Sequence, residues 1–202
     1  MEKLKFLRKF RVIVLRIAFA PAILIMLFAW RSWEKDSIKD YIFEWVGYFL
    51  LLAGIGLRMW STLYIGQRKS KQLITDGPFS MCRNPLYFGS LLVAIGASFC
   101  FENLVLLVFV LLVLVPIHLL VIFAEEKKLA GNFGAPYEQY KKMVPRLWFA
   151  FSRFKNPPMI EVSTKAVARA TMEMIMLLLI PPLGDLIELL HAKGILPVWW
   201  RF

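Results

Sequence analysis

Long apolar stretches separated by short charged segments dominate the pattern of this chain. Four of them approach or exceed the roughly 20 residues that a helix needs to cross a bilayer core, and they run from about Val12 to Trp30, Ile42 to Ile65, Leu86 to Phe101 and Leu104 to Ala124. A fifth, Ala166 to Leu190, is interrupted by acids, prolines and a glycine, so a full span and a broken or interfacial segment both stay open. The pattern predicts an all-α fold, a polytopic membrane bundle of four to five transmembrane helices.

Composition supports a membrane protein rather than a soluble one. The 202 residues are 59% hydrophobic and 19% charged, whereas about a quarter of the residues in soluble domains are charged. The net charge is +11, but the basic residues flank the apolar stretches, as charges meeting anionic lipid headgroups do. We therefore expect the lipid bilayer, and not nucleic acid, as the partner. The length favours one domain over residues 1–202.

The distribution of Lys and Arg predicts the orientation. The N-terminal flank, the connection after the second stretch and the segment after the fourth are rich in basic residues, whereas the tip at Glu102 and Asn103 has none. Basic loops stay in the cytosol, so we expect a cytosolic N-terminus, in an inner membrane if bacterial and in the endoplasmic reticulum if eukaryotic. The first apolar stretch is too long for a signal peptide and is expected to remain as a helix.

A polar corner precedes the third stretch. Asn84 is biased away from helix by Pro85, and Pro85 suits the first position of a helix. Arg83 and Asn84 then lie at a helix N-terminus, whose partial positive charge stabilises an anionic ligand group. Tyr87 and Gly89 follow on the first turns, and Gly89 permits close approach of a backbone or a ligand.

Two adjacent acids, Glu125 and Glu126, end the otherwise uncharged fourth stretch. Acids are unfavourable at a helix C-terminus, so either the helix continues or the acids have partners. His118, seven and eight residues earlier, projects to a similar side. Because the tip between the third and fourth stretches is short, these helices are antiparallel neighbours. We therefore expect Arg83 and Asn84 to meet the two acids at one site.

The second stretch carries an arginine, Arg58, within its last two turns and a Gly-x-Gly element at Gly54 and Gly56. A central charge costs on the order of 3 kcal/mol on insertion scales, so Arg58 is expected to point to the interface or inward to a polar site. Gly54 and Gly56 are typical of close packing between membrane helices. The two cysteines, Cys82 and Cys100, have no metal-ligand spacing, and we expect no metal site.

Taken in order, these pieces resemble the isoprenylcysteine carboxyl methyltransferase family, and phospholipid N-methyltransferases are similar in the same region. The resemblance covers about Gly77 to Arg146. It is carried by Gly77-Pro78-Phe79, Arg83-Asn84-Pro85, Tyr87, Gly89, Glu125-Glu126, Phe133-Gly134, Tyr137, Tyr140 and Val144-Pro145-Arg146.

The resemblance implies a pocket for S-adenosylmethionine, covered by a cytosolic cap and open sideways to a lipid or lipid-linked methyl acceptor. It makes residues 77–146 the core region and residues 157–202 a C-terminal helical extension. The implied cofactor-binding residues are Arg83, Asn84, Pro85, Tyr87, Gly89, Glu125, Tyr137 and Tyr140. The catalytic candidates are Glu126, Glu125 and His118, which can remove a proton from an amine or hydroxyl acceptor, whereas a carboxylate acceptor needs no base.

Several functions remain open at this point. Methyl-esterifying members often have His where this chain has Asn84, so the acceptor is open between a carboxylate, an amine and a hydroxyl. Membrane sterol reductases, which use NADPH, are similar in their last helices. A non-enzymatic assembly or transport component is the third reading, although the intramembrane charges concentrate at one level and form no polar file across the bilayer.

Overall fold

The computed structural model describes residues 20–32, 37–66 and 72–199, and within these ranges the secondary structure is helical with no β-strand. The helices are α1 (20–28), α2 (Ile38–Ile65), α3 (Pro78–Met81), α4 (Pro85–Cys100), α5 (Leu104–Phe133), α6 (Ala135–Met143), α7 (Thr164–Leu178) and α8 (Ile180–Ala192).

Three helical stretches are long and apolar enough to cross a membrane: Ile38–Ile65, Leu104–Phe133 and Thr164–Ala192. Helix α4 is apolar but shorter. Large apolar side chains such as Phe49 and Leu112 are 72% and 71% exposed, as lipid-facing residues are, whereas a soluble protein rarely exposes so many. The predicted helical membrane bundle is confirmed.

The largest difference between the predicted and observed helix boundaries is at the end of α5, where Glu125 and Glu126 lie. Helix α5 continues past Ala124 to Phe133, so Glu125 and Glu126 lie inside a helix and not at its C-terminus. The unfavourable carbonyl end is thereby moved about two turns beyond them. The interrupted fifth stretch is helical from Thr164 to Ala192 with a single turn at Leu179. Of the first stretch, residues 12–19 lie outside the described residues.

Helix α5 contains a π-helical segment that the sequence analysis missed. It covers Val110–Leu114, where the amide of Val115 donates to the carbonyl of Val110. Pro116 follows directly. Proline lacks a donor and its ring clashes with the carbonyl four residues earlier, and a wider turn relieves that clash. Pro116 therefore leaves the helix unbroken.

The chain forms two compact units. The first comprises Met1–Phe49, Ala94–Val121 and Ile180–Phe202. Its apolar core joins Val110 and Leu114 of α5 to Ala94 and Ile95 of α4, which confirms that α4 and α5 are neighbours. Helix α8 contacts α1, because an imidazole nitrogen of His191 lies 2.9 Å from the carbonyl oxygen of Leu27.

A charged cluster centred on Arg31 joins several segments of the first unit. Arg31 pairs with Asp40 at 2.6 Å, with Glu188 at 2.7 Å and with Glu102. One guanidinium thus links the chain after α1, the first turn of α2, the α4–α5 tip and α8.

The second unit comprises Leu50–Val93 and Ile122–Leu179. A Cβ added to Gly54 of α2 would lie 2.7 Å from the carbonyl oxygen of Gly89 on α4, so no larger residue fits between these helices. Gly56 has open space around it and makes no such contact. Arg83, Asn84, Tyr87, Glu125, Glu126, Tyr137 and Tyr140 belong to this unit, whereas His118 belongs to the first. The single domain expected over residues 1–202 stays a prediction.

Candidate functional site

The chain before α4 is held in place by backbone contacts. Gly77 adopts a positive φ of 59°, which favours glycine, and its amide donates to the carbonyl of Lys155 at 2.8 Å. The amide of Arg83 donates to the carbonyl of Pro145 at 2.8 Å. Helix α4 begins at Pro85, as predicted. Two backbone hydrogen bonds therefore hold the chain before α4 against the segment that follows α6.

Glu126 is the centre of a buried network. Its side chain is 6% exposed. One carboxylate oxygen accepts from Asn84 Nδ2 at 2.9 Å, and the other accepts from Arg146 Nε at 3.0 Å. Arg83 Nε lies 3.3 Å from the first oxygen. The structure thus brings together the two clusters that are far apart in sequence, as predicted from the hairpin.

This network carries an excess of positive charge. Arg83 and Arg146 supply two cations against the single carboxylate of Glu126. Arg83 also donates from Nη1 to the carbonyl of Lys141 at 3.0 Å, which orients its guanidinium. The N-terminus of α4 adds the positive end of a helix dipole at the same place. The arrangement favours an anionic ligand group.

A cavity of about 90 Å³ lies beside the network. It is lined by Ile65, Gln72, Leu73, Ile74, Phe79, Arg83, Asn84, Leu86, Tyr87, Glu125, Leu129 and Tyr140. Glu125 faces it and accepts a hydrogen bond from the hydroxyl of Tyr87. The two acids therefore differ. Glu125 lines the cavity, whereas Glu126 contacts the side chains of Asn84, Arg83 and Arg146.

Helix α6 contributes two buried tyrosines, of which Tyr140 lines the cavity and Tyr137 packs against Tyr140 with 6.0 Å between the ring centroids. Tyr140 donates to the carbonyl of Phe79 at 2.7 Å. The hydroxyl of Tyr137 has no hydrogen-bond partner among the described residues. Burial, with a smaller contribution from the nearby charge of Glu126, raises the pKa of Tyr137 to about 12. Tyr137 therefore stays protonated at neutral pH and keeps a donor without an acceptor, a costly state unless a ligand or water completes it.

Three predicted site residues have other surroundings. Gly89 packs against Gly54 and the side chain of Arg58, so the close approach it permits is that of a helix. Nδ1 of His118 lies 2.9 Å from the carbonyl of Leu114, the contact of a packing histidine, and His118 does not line the cavity. Pro85 starts α4 and contributes no polar group. Their roles in catalysis or cofactor binding stay predictions.

Arg146 was not assigned a role from the sequence, although it belongs to the Val-Pro-Arg motif. It pairs with Glu126 at 2.9 Å, and its guanidinium lies 4.3 Å from the centre of the Phe123 ring. A buried acid that needs a counter-charge was the available signal. Cys82 is no nucleophile candidate, because burial raises its pKa to about 11 and keeps the thiol neutral.

Comparison with known proteins supports the family resemblance found in the sequence. Residues 42–136 match the phospholipid methyltransferase family. A stretch of 79 residues is 37% identical to the protein-S-isoprenylcysteine O-methyltransferase of Schizosaccharomyces pombe and covers 39% of this chain and 34% of that one. These matches support the resemblance to the isoprenylcysteine carboxyl methyltransferase and phospholipid methyltransferase families, and with it a membrane methyltransferase.

Two relatives extend over more of the chain. The cobalt-zinc-cadmium resistance protein CzcN of Cupriavidus metallidurans is 26% identical over 191 residues, which are 95% of this chain and 88% of the relative. The nickel-cobalt-cadmium resistance protein NccN of Alcaligenes xylosoxydans is 27% identical over 151 residues, 75% of this chain and 70% of the relative. Their names state a resistance and no reaction. No solved structure matches the chain significantly.

Proposed function

We propose that this protein transfers a methyl group from S-adenosylmethionine to a lipid or lipid-linked acceptor at the cytosolic face of the membrane. The observation that supports this most directly is the pair of opposite charges on one cavity, Arg83 and Glu125. The amino-acid end of S-adenosylmethionine carries a carboxylate and an ammonium group. A cavity with a cationic and an anionic side complements such a zwitterion.

The residues present fit the cofactor by their chemistry. Arg83, with the positive excess of its network and the α4 N-terminus, would bind the carboxylate. Glu125 would bind the ammonium group or lie near the sulfonium, and the hydroxyl of Tyr137, which has no partner within the described ranges, would donate to a ligand oxygen. The rings of Tyr87 and Tyr140 would contact the flat or cationic parts of the ligand.

Binding of so large a ligand requires movement. Typical ligand sites enclose roughly 300–1,000 Å³, whereas this cavity is about 90 Å³. Side chains such as Gln72 and Leu73, which line it and are not part of the Glu126 network, would have to separate. The proposal therefore includes an adjustment of the lining residues on binding.

Glu126 acts in this proposal as a positioning residue. Its carboxylate holds Asn84, Arg83 and Arg146 together, so both of its oxygens are already engaged by other side chains. Glu125 is the acid with access to a ligand. It would orient the acceptor or take its proton if the acceptor is an amine or a hydroxyl.

When bound, S-adenosylmethionine supplies an electrophilic methyl group on a sulfonium. The protein's contribution is alignment of donor and acceptor, which supplies much of the rate enhancement in such displacements. The apolar part of the cavity wall, Ile65, Leu73, Leu86 and Leu129, excludes water from the reacting groups.

A lipid acceptor is supported by the family and by the bundle. The fission yeast relative is named for action on protein S-isoprenylcysteine, and the matching family is named for phospholipids. The cytosolic orientation rests on the basic connections and predicts that the site faces the compartment in which S-adenosylmethionine is made.

Calorimetry on the purified full-length protein with S-adenosylhomocysteine tests the proposal. Arg83→Gln should weaken binding by at least about tenfold, because it removes a charge-assisted hydrogen bond worth roughly 1.5–3 kcal/mol. Lys142→Gln, a change at an exposed lysine of α6, is the matched control and should bind as the parent does.

Absence of binding to the parent protein, or binding of NADPH in its place, would contradict the proposal and favour the reductase reading. Incubation of membranes with labelled S-adenosylmethionine then identifies the acceptor from the lipid that carries the label.

A further inference from the structure

A second charged cluster lies inside the apolar helices of the second unit. Arg58 of α2 donates from its two terminal nitrogens to Ser90 of α4 and to Glu173 of α7. Ionisable residues within membrane segments are costly, and they commonly mark a binding or transport site. The family match ends at residue 136, so it does not include Glu173.

The guanidinium group of Arg58 can still donate a hydrogen bond to a ligand. Its Nε is buried and has no hydrogen-bond partner in the part of the chain that the structure describes. The side chain of Arg58 is 20% exposed, whereas that of Glu173 is 41% exposed. Because the carboxylate is the more exposed partner, a ligand that approaches from outside the bundle meets Glu173 first and can displace it from Arg58.

The cluster lies close to the candidate site along two helices. Ser90 follows Tyr87 by three residues on α4, and Arg58 precedes Ile65 by seven residues on α2, which correspond to about 5 Å and about 10 Å along the helix axes. Tyr87 and Ile65 both line the cavity. A ligand head at Arg58 is thus one to two turns from the cavity, further along the membrane helices.

The surroundings of Arg58 are apolar. A small space beside it is lined by Ile55, Met59, Thr62, Ala170, Glu173, Met174 and Leu177. A cation among Ile, Leu and Met side chains complements a molecule with an anionic head and a hydrocarbon chain. A free water-soluble anion gains nothing from that surface.

We infer that Arg58 is a specificity-determining residue that binds the oxyanion of the lipid acceptor, a phosphate or a carboxylate, and that Glu173 is the counter-ion which this oxyanion displaces. The inference rests on the proposed function, because it assigns part of the acceptor to a position next to the methyl-transfer site.

Substitutions of Glu173 and of Arg58 should change the binding of anionic amphiphiles in opposite directions. Glu173→Gln leaves Arg58 charged without its counter-ion, so anionic amphiphiles should bind more tightly. Arg58→Gln removes the cation and should weaken their binding. A purely structural ion pair predicts instead that both variants lose thermal stability and that neither changes amphiphile binding.

The test is a binding measurement on the full-length protein in phosphatidylcholine nanodiscs. Radiolabelled dodecyl phosphate and laurate are the two anionic probes, and dodecanol is the neutral reference. We expect binding about fivefold tighter for Glu173→Gln and about tenfold weaker for Arg58→Gln, the size of one gained or lost charged contact. The anion that changes more indicates phosphate or carboxylate chemistry.

Matched controls remove a charge elsewhere. Arg169→Gln, at an exposed position one turn before Glu173, and Glu138→Gln, in an exposed pair with Lys141, should leave probe binding within about twofold. Arg58→Lys keeps the charge but not the planar fork, and it should bind the probes at an intermediate level. It replaces Arg58→Gln if that variant does not fold.

Equal probe binding by the parent and Glu173→Gln would overturn the inference, as would tighter binding of dodecyltrimethylammonium than of either anion. Calorimetry with S-adenosylhomocysteine separates the two proposals. If the parent protein binds S-adenosylhomocysteine but the variants at Arg58 and Glu173 bind the probes as the parent does, only the role of Arg58 is contradicted. If the parent protein does not bind S-adenosylhomocysteine, the methyl-transfer proposal is contradicted.

Discussion

The two units each contain a buried ionic cluster, and the clusters have opposite composition. In the first unit one cation, Arg31, faces three carboxylates, those of Asp40, Glu102 and Glu188. In the second unit one carboxylate, that of Glu126, faces two guanidinium groups. Among the ion pairs of the described residues, the first cluster has more acids than cations and the second has more cations than acids.

The excess charge has a different consequence in each unit. Burial, together with a hydrogen bond to Asp40, raises the pKa of Glu102 from its ordinary 4.5 to about 8. The first cluster thus reduces its excess by holding a proton, and it joins four chain segments. Both clusters lie beside a cavity, of about 40 Å³ in the first unit and about 90 Å³ in the second. The two cavities therefore differ in the charge that their polar residues present, and only the second contains the residues of the family resemblance.

The largest expected effect follows from removing the central acid of the second cluster. Glu126→Gln leaves two arginines without a buried counter-charge, which should cost about 3–5 kcal/mol of stability, or a fall in Tm of roughly 10 °C for a chain of this size. Thermal unfolding in detergent measures it, with Glu138→Gln as the exposed control, where the loss should stay below about 1 kcal/mol. An unchanged Tm with lost activity would make Glu126 a catalytic group and not a positioning one.

An intermediate effect is expected at the acid that faces the cavity. Glu125→Gln keeps an acceptor for the hydroxyl of Tyr87 but removes the charge, so kcat/KM should fall by about a hundredfold while Tm stays within a few degrees. Methyl transfer to the acceptor identified by labelling gives the rate. Tyr87→Phe is the companion variant, and its effect should be smaller because the carboxylate remains. Full activity of Glu125→Gln would remove this acid from the mechanism.

The last expected effect is a pH dependence of stability in the first cluster. Because the folded protein raises the pKa of Glu102, the folded state binds more protons than the unfolded state between about pH 4.5 and 8. Stability from this group is therefore fully present below about pH 4.5 and is lost as pH rises to about 8. Melting curves from pH 5 to 9 should show a falling Tm that is flatter in Glu102→Gln. A parallel fall in both proteins would show that another group titrates.

Much of the fold was predictable because a lipid bilayer restricts which structures can span it. A bilayer requires long apolar helices, and the chain alternates such stretches with charged connections. The same rule made the hairpin predictable, since the two residues of the tip, Glu102 and Asn103, force α4 and α5 together. From the hairpin followed the meeting of Asn84 with Glu126, 42 residues apart.

Other features were not predictable, because they depend on contacts between residues that no local pattern relates. From the sequence both Glu125 and Glu126 are catalytic candidates, and only the packed structure separates the acid in the network from the acid on the cavity. The partner of Arg58 is 115 residues away on α7, outside any motif. The surroundings of Gly89 were likewise left open between a backbone and a ligand until α2 was found against it.

The sequence by itself therefore determined the helical membrane class, the family resemblance and the candidate site residues, because hydrophobic length, turn chemistry and motif order are local properties of the chain. Only the tertiary structure decided which of these side chains pair with one another and which face the cavity. That choice depends on the directions in which neighbouring helices present their side chains, and on the need of every buried charge for a partner.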